Sequence, residues 1–172
     1  MKTLKSSEFL RAIEFSNNGV SDSLTGAPAP KLFFDNLTRE ISKSKRKMQS
    51  ISIVTIKLLP EENQIKESKK PTIQFLKQKN QIYEKQLALM SSCIKSNIRG
   101  SDFYSRIAEN GFWICVQGDR EEAMKAADRM HGKIATKFVD LSYEAQIKTS
   151  FNEWTRNLDV NTWIDEIDSQ FF

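Results

Sequence analysis

The order of helical and extended patterns predicts an α+β protein in which helices pack on a largely antiparallel sheet. Two observations carry this. Ile51 to Leu59 (ISIVTIKLL) is short, β-branched and almost continuously apolar, as befits a central strand buried on both faces. Phe103, Ser105 and Ile107, then Phe112, Ile114 and Val116, alternate about Asn110-Gly111, which predicts a hairpin over 103–108 and 111–117. The Asn-Gly pair predicts a type I′ turn, with both central residues at positive φ. The strands are not regularly interleaved with helices, so a doubly wound parallel sheet is the poorer fit.

Taken in order, Leu4, Phe9, Leu10 and Ile13 predict a short leading helix that ends near Asn17-Asn18-Gly19. Ser21 to Pro30 holds one Gly and two Pro, which exclude regular structure and predict a structured loop or linker. From Lys31 a helix follows, because Leu32/Phe33, Leu37 and Ile41 recur every three to four residues. The run Lys43, Lys45, Arg46, Lys47 complements the negative end of its dipole. Beyond the central strand, Pro60 to Pro71 is polar and reads as a surface loop. Leu76, Tyr83, Leu87, Met90, Ile94 and Ile98 predict a long helix closing near Gly100. After the hairpin, Asp119 is placed to cap a helix through Ala123, Ala126, Ala127, Met130 and Ile134, with Glu121 and Glu122 in its first turn. A strand near Ala145 to Phe151 and a helix through Trp163, Ile164, Ile167 and Phe171 complete the order.

Composition narrows the classes. The 172 residues, with 39% apolar and 28% charged side chains and 11 Phe, suit one domain with a real core. Cys93 and Cys115 are too few for a disulfide framework and read as small core residues of a protein in a reducing, cytoplasmic compartment. No segment approaches the ~20 apolar residues of a membrane span. The net charge of +4 divides into +7 before residue 87 and −3 after it, but no aromatics interleave with the lysine runs, so nucleic acid is not the expected partner. His131 stands alone, which excludes a histidine metal cluster, and it is expected near a helix C-terminus. The tryptophans are expected in packing, with Trp113 the one that alternation allows to face solvent and mark a partner surface.

Asp22-Ser23-Leu24-Thr25-Gly26-Ala27-Pro28, Lys31-Leu32-Phe33, Arg99-Gly100-Ser101-Asp102, Arg106-Ile107, Gly118 to Met130 and Trp163 to Asp168 occur in a characteristic order and spacing. Together they resemble the GGDEF domain of diguanylate cyclases, over residues 21–172, with residues 1–20 as leading helix and linker. The resemblance implies a bacterial, ferredoxin-like nucleotidyl-cyclase fold with a mostly antiparallel five-stranded sheet flanked by helices.

The departures from the family pattern bear on activity. Where members carry Gly-Gly-Asp/Glu-Glu-Phe, this chain has Ala108-Glu109-Asn110-Gly111-Phe112. The family's D-x-D metal carboxylates align with Lys57 and Leu59, and its guanine-binding Asn and Asp with Phe75 and Glu84. Phosphoryl transfer needs hard oxygen ligands for Mg²⁺. An ammonium and a leucine supply none, and Glu109 is one residue out of phase on its strand unless the turn resets the register. The expectation is therefore no catalytic residue, no Mg²⁺ and no cyclase activity, Lys57, Leu59, Glu109, Asn110 and Gly111 marking the degenerate positions.

The resemblance also implies a product-binding site for c-di-GMP. Arg99 and Asp102 match its R-x-x-D spacing, and Arg129 matches an arginine supplied by the following helix. Arginine can donate a bidentate pair to guanine O6 and N7 and aspartate can accept from its N–H groups. The expected function is a silent signalling domain that binds c-di-GMP and relays it to a protein partner. The alternatives are an interaction or homodimerisation module without nucleotide, and a residual cyclase with relocated ligands.

Overall fold

The computed structural model describes residues 13–60 and 73–171. Four helices and four strands follow one another: α1 (Pro30–Lys47), β1 (Ser52–Leu59), α2 (Ile73–Asn97), β2 (Phe103–Ala108), β3 (Gly111–Val116), α3 (Arg120–Asp140), β4 (Gln146–Glu153) and α4 (Val160–Phe171). The sheet has the order β2-β3-β1-β4, with every pairing antiparallel. The fold is α+β as expected, but among the described residues the sheet has four strands and not five.

β1 lies between β3 and β4, and its near-continuous apolar run follows from burial on both sides. Val54, Ile56 and Leu58 join Phe112, Ile114, Val116 and Tyr104 on one face, beneath Tyr83, Leu87, Met90 and Ile94 of α2 and the alanine-rich stripe of α3. Ile51 and Ile53 join Trp113 and Cys115 on the other, beneath Phe33, Leu37 and Ile41 of α1 and Trp163, Ile167 and Phe171 of α4. Helix starts and stops follow local chemistry. Pro30 opens α1 where its missing N–H is no loss, and Lys45, Arg46 and Lys47 occupy its last turn. Lys45 also stands 5.6 Å from the ring centroid of Trp154, so the basic run serves the domain itself. Met48, exposed and at φ 61, ends the helix in left-handed backbone. Asp119 caps α3 as expected, its side chain accepting from the Glu122 N–H at 3.0 Å.

Several expectations are corrected. The leading helix falls mainly on residues 1–12, outside the described residues, and 13–19, which it was to include, are not helical. The predicted loop at 61–71 and Phe172 also lie outside them. Residues 21–30 do form a structured loop, with Ala27 and Ala29 buried and Gly26 at φ 67. The hairpin is present, but neither Asn110 nor Gly111 has positive φ, so the turn is not type I′. Ala108 pairs with Gly111 after a register shift between Arg106 and Ala108, which puts Glu109-Asn110 at the tip. Trp113 is buried because α1 and α4 cover the face that alternation alone leaves open. His131 sits mid-way along α3, facing Thr149 of β4 at 3.5 Å, and not near the helix C-terminus.

Candidate functional site

Two corners of the sheet hold the sequence-predicted residues. At the hairpin tip, Asn110 is buried and satisfies both backbone groups of Leu58: its C=O accepts from Leu58 N at 2.9 Å and its Nδ2 donates to Leu58 O at 2.9 Å. Tyr83 from α2 donates to the same carbonyl at 2.8 Å. Burial pushes the Tyr83 phenol well above its ordinary range, against smaller opposing effects of Asn110 and the Arg106 charge.

Arg106 is fully buried in β2. Its Nη1 lies 3.1 Å from each carboxylate oxygen of buried Asp22, its Nη2 donates to Glu109 O at 2.7 Å, and the Phe15 ring centroid lies 5.0 Å from the guanidinium. Asp22 further accepts from the backbone and hydroxyl of Thr25 at 2.8 and 2.6 Å. The loop before α1 is thereby tied to the hairpin. Sequence reading quoted both residues as motif members without pairing them. Neither segment carries a local signal for the pairing, since alternation puts Arg106 on the strand face opposite Phe103, Ser105 and Ile107.

Lys57 and Gly111 are directly opposed in the β1–β3 ladder, so both face α4. Phe171 fills this space: its ring lies where a Cβ on residue 111 would be, and its carbonyl accepts from Lys57 Nζ at 2.9 Å. The absent side chain at Gly111 is therefore what admits the ring. Burial and then the neighbouring Lys148 charge lower the Lys57 pKa. Leu59 and Glu109 are half-buried beside this corner, and no three His, Cys, Asp or Glu side chains among the described residues converge as metal ligands. An ammonium, a leucine and an amide committed to Leu58 do not fit a divalent cation, and a single half-buried carboxylate does not replace them.

The second corner joins the end of α2 to β2 and α3. Asp102 is buried, and its carboxylate accepts from Arg99 N at 3.0 Å and Gln117 N at 3.3 Å. Arg129 reaches from α3 to the Asn97 carbonyl at the end of α2, 3.1 Å away. Arg99 points outward, with Nη1 3.6 Å from Glu122 Oε1. Asp102 thus holds the turn that follows α2 through the backbone of Arg99, and Arg129 is bonded to residue 97 at the start of that same turn. Cys93 is half-buried and Cys115 buried, each pushed up in pKa by burial, and Cys115 further by the Asp102 and Glu40 charges. Phe75 and Glu84 are half-buried on α2.

This strand order, with two helices on each face and a tight β2–β3 hairpin at one end, defines an α+β class in which an antiparallel sheet is flanked by helices. Within it, the chain folds as a GGDEF-like domain. It superposes on the GGDEF domain of DgcB from Caulobacter crescentus, solved in complex with c-di-GMP, with TM-score 0.68 and 12% identity over 91% of this chain and 90% of that one. It is similar to the diguanylate cyclase SiaD of Pseudomonas aeruginosa, solved with its activator SiaC, with TM-score 0.66 and 18% identity over 87% of this chain and 55% of that one. A diguanylate cyclase protein from Thermotoga maritima gives 0.59 and 15% over 87% and 98%. No protein-family model and no curated protein sequence matches the chain. Among the described residues no helix is long and apolar enough to cross a membrane.

Proposed function

We propose that this chain is a catalytically silent GGDEF-like signalling domain of the cytoplasm that binds c-di-GMP through Arg99, Asp102 and Arg129 and relays its presence to a protein partner. The observation that carries the ligand assignment is the Arg129–Asn97 bond, which brings the α3 arginine to within two residues of Arg99. Two guanidinium groups beside a carboxylate suit a ligand that offers guanine edges and phosphodiesters together. The c-di-GMP complex of the DgcB domain supplies the precedent for the ligand, and the SiaD–SiaC complex the precedent for a protein partner.

The silent half of the proposal rests on the other corner. Lys57 presents an ammonium where the resemblance implies a metal carboxylate, and Phe171 is packed against Gly111 beside it. Calorimetric titration tests the ligand: heat from c-di-GMP with the intact protein and none with Arg99→Ala is expected, while no heat from either overturns it and leaves the interaction module. Incubation with GTP and Mg²⁺ tests silence. Any c-di-GMP formed by pure protein overturns that part.

A further inference from the structure

We infer that Glu122 is a built-in competitor for the ligand of Arg99, setting the affinity of that corner. The inference rests on Arg99 being a ligand-binding residue. Glu122 is in the first turn of α3, its backbone N–H fixed by the Asp119 cap at 3.0 Å. Its side chain folds back across Gly118, where the missing Cβ leaves the room its carboxylate occupies. From there Oε1 faces Arg99 Nη1 at 3.6 Å, with the two side chains 45% and 59% exposed. An ion pair this open is worth little, so it holds Arg99 without locking it.

A phosphodiester arriving at Arg99 meets the Glu122 carboxylate as a like charge at the same guanidinium, and one of the two has to leave. The structure provides a place for Glu122 to go. A polar cavity of about 320 Å³ lies beside it, lined by Gln49, Ser50, Gln117, Gly118, Asp119 and Glu122 itself. Amide and hydroxyl groups of Gln49 and Ser50 on that wall can receive the displaced carboxylate, against the like charge of Asp119 beside them. Gln117 links cavity and site, since its N–H donates to Asp102 at 3.3 Å. Binding is then an exchange of one anion for another at Arg99, and neutralising Glu122 removes the resident one.

The test is titration of c-di-GMP into wild type, Glu122→Gln, Arg99→Ala and the double variant, with melting temperatures to show that each is folded. Glu122→Gln is expected to bind about two- to fivefold tighter than wild type, the size of an exposed ion pair. The double variant is expected to gain nothing over Arg99→Ala, because the competition acts only through that guanidinium. Binding by wild type that is unchanged or weaker in Glu122→Gln overturns the competitor role while leaving the ligand assignment intact; the weaker case makes Glu122 a ligand contact. No binding by wild type or Glu122→Gln overturns both.

Discussion

The hairpin tip and the α2–β2 corner sit at different ends of the same two strands and treat their charges in opposite ways. At the tip the polar groups are turned inward: both terminal nitrogens of Arg106 are held by Asp22 and the Glu109 carbonyl while its buried Nε has no partner, Asn110 is held by Leu58, and Lys57 by the Phe171 carbonyl. At the corner only Asp102 is buried, and Arg99 stands in solvent against a partner it can release. Buried charge in a low-dielectric interior is tolerated only beside a counter-charge, which Asp22 gives Arg106, so the tip is a structural joint. Exposed charge costs little to rearrange, which leaves the corner free to exchange partners.

Substitutions can break or sharpen this contrast, and the largest effect is expected at the tip. Arg106→Ala leaves Asp22 buried without its counter-charge and is expected to cost about 3–5 kcal/mol in chemical denaturation. A loss under 1 kcal/mol would remove the idea of a joint. Gly111→Ala drives a methyl into the Phe171 ring and is expected to cost about 1–3 kcal/mol. In a double-mutant cycle with Phe171→Ala the two losses should fall well short of adding; additivity would place the strain elsewhere.

Tyr83 gives a smaller, pH-dependent effect. Its folded-state pKa is raised, so above about pH 10 the unfolded chain loses a proton that the folded protein keeps. The folded state then binds more protons, and stability present below the unfolded pKa is lost as pH rises, by at most ~1.4 kcal/mol per pH unit for this one group. Tyr83→Phe should remove its own part of that alkaline decline, leaving the parts expected from Tyr104, Cys93 and Cys115, whose pKa values are likewise raised by burial; an unchanged slope would contradict it. At the corner, Arg99→Ala is expected to shift stability by less than about 0.5 kcal/mol while removing ligand binding. A large stability loss there would erase the distinction between the two ends.

Much of the fold was legible because its signals are local. The ISIVTIKLL run declared a two-faced strand, the alternation around Asn110-Gly111 declared a hairpin, and Asp119 followed by Glu121 and Glu122 declared a helix start. What escaped depends on partners far along the chain. Asp22 and Arg106 are 84 residues apart, and nothing in either segment names the other. Trp113 looked free to face solvent because alternation describes one strand and cannot say that α4, about 50 residues later, returns to cover it. The turn type failed for a related reason: Asn110 is drawn to Leu58 of a neighbouring strand, and this tertiary pairing overrides the local Asn-Gly preference. At the corner, the resemblance to the family's pattern singled out Arg99, Asp102 and Arg129, whereas Glu122 was read only as a helix-dipole residue, since its approach to Arg99 depends on how α3 docks.

Met48 carries a different lesson. A solvent-exposed, non-glycine residue in left-handed backbone forgoes roughly 1 kcal/mol that glycine would keep. α1 ends there because the chain must reverse within three residues to set Ile51 into the core just ahead of β1. The protein thus holds an unspent reserve of stability at an exposed helix end, where a single replacement can raise the melting point of a destabilised variant while leaving every charged group of the two corners in place.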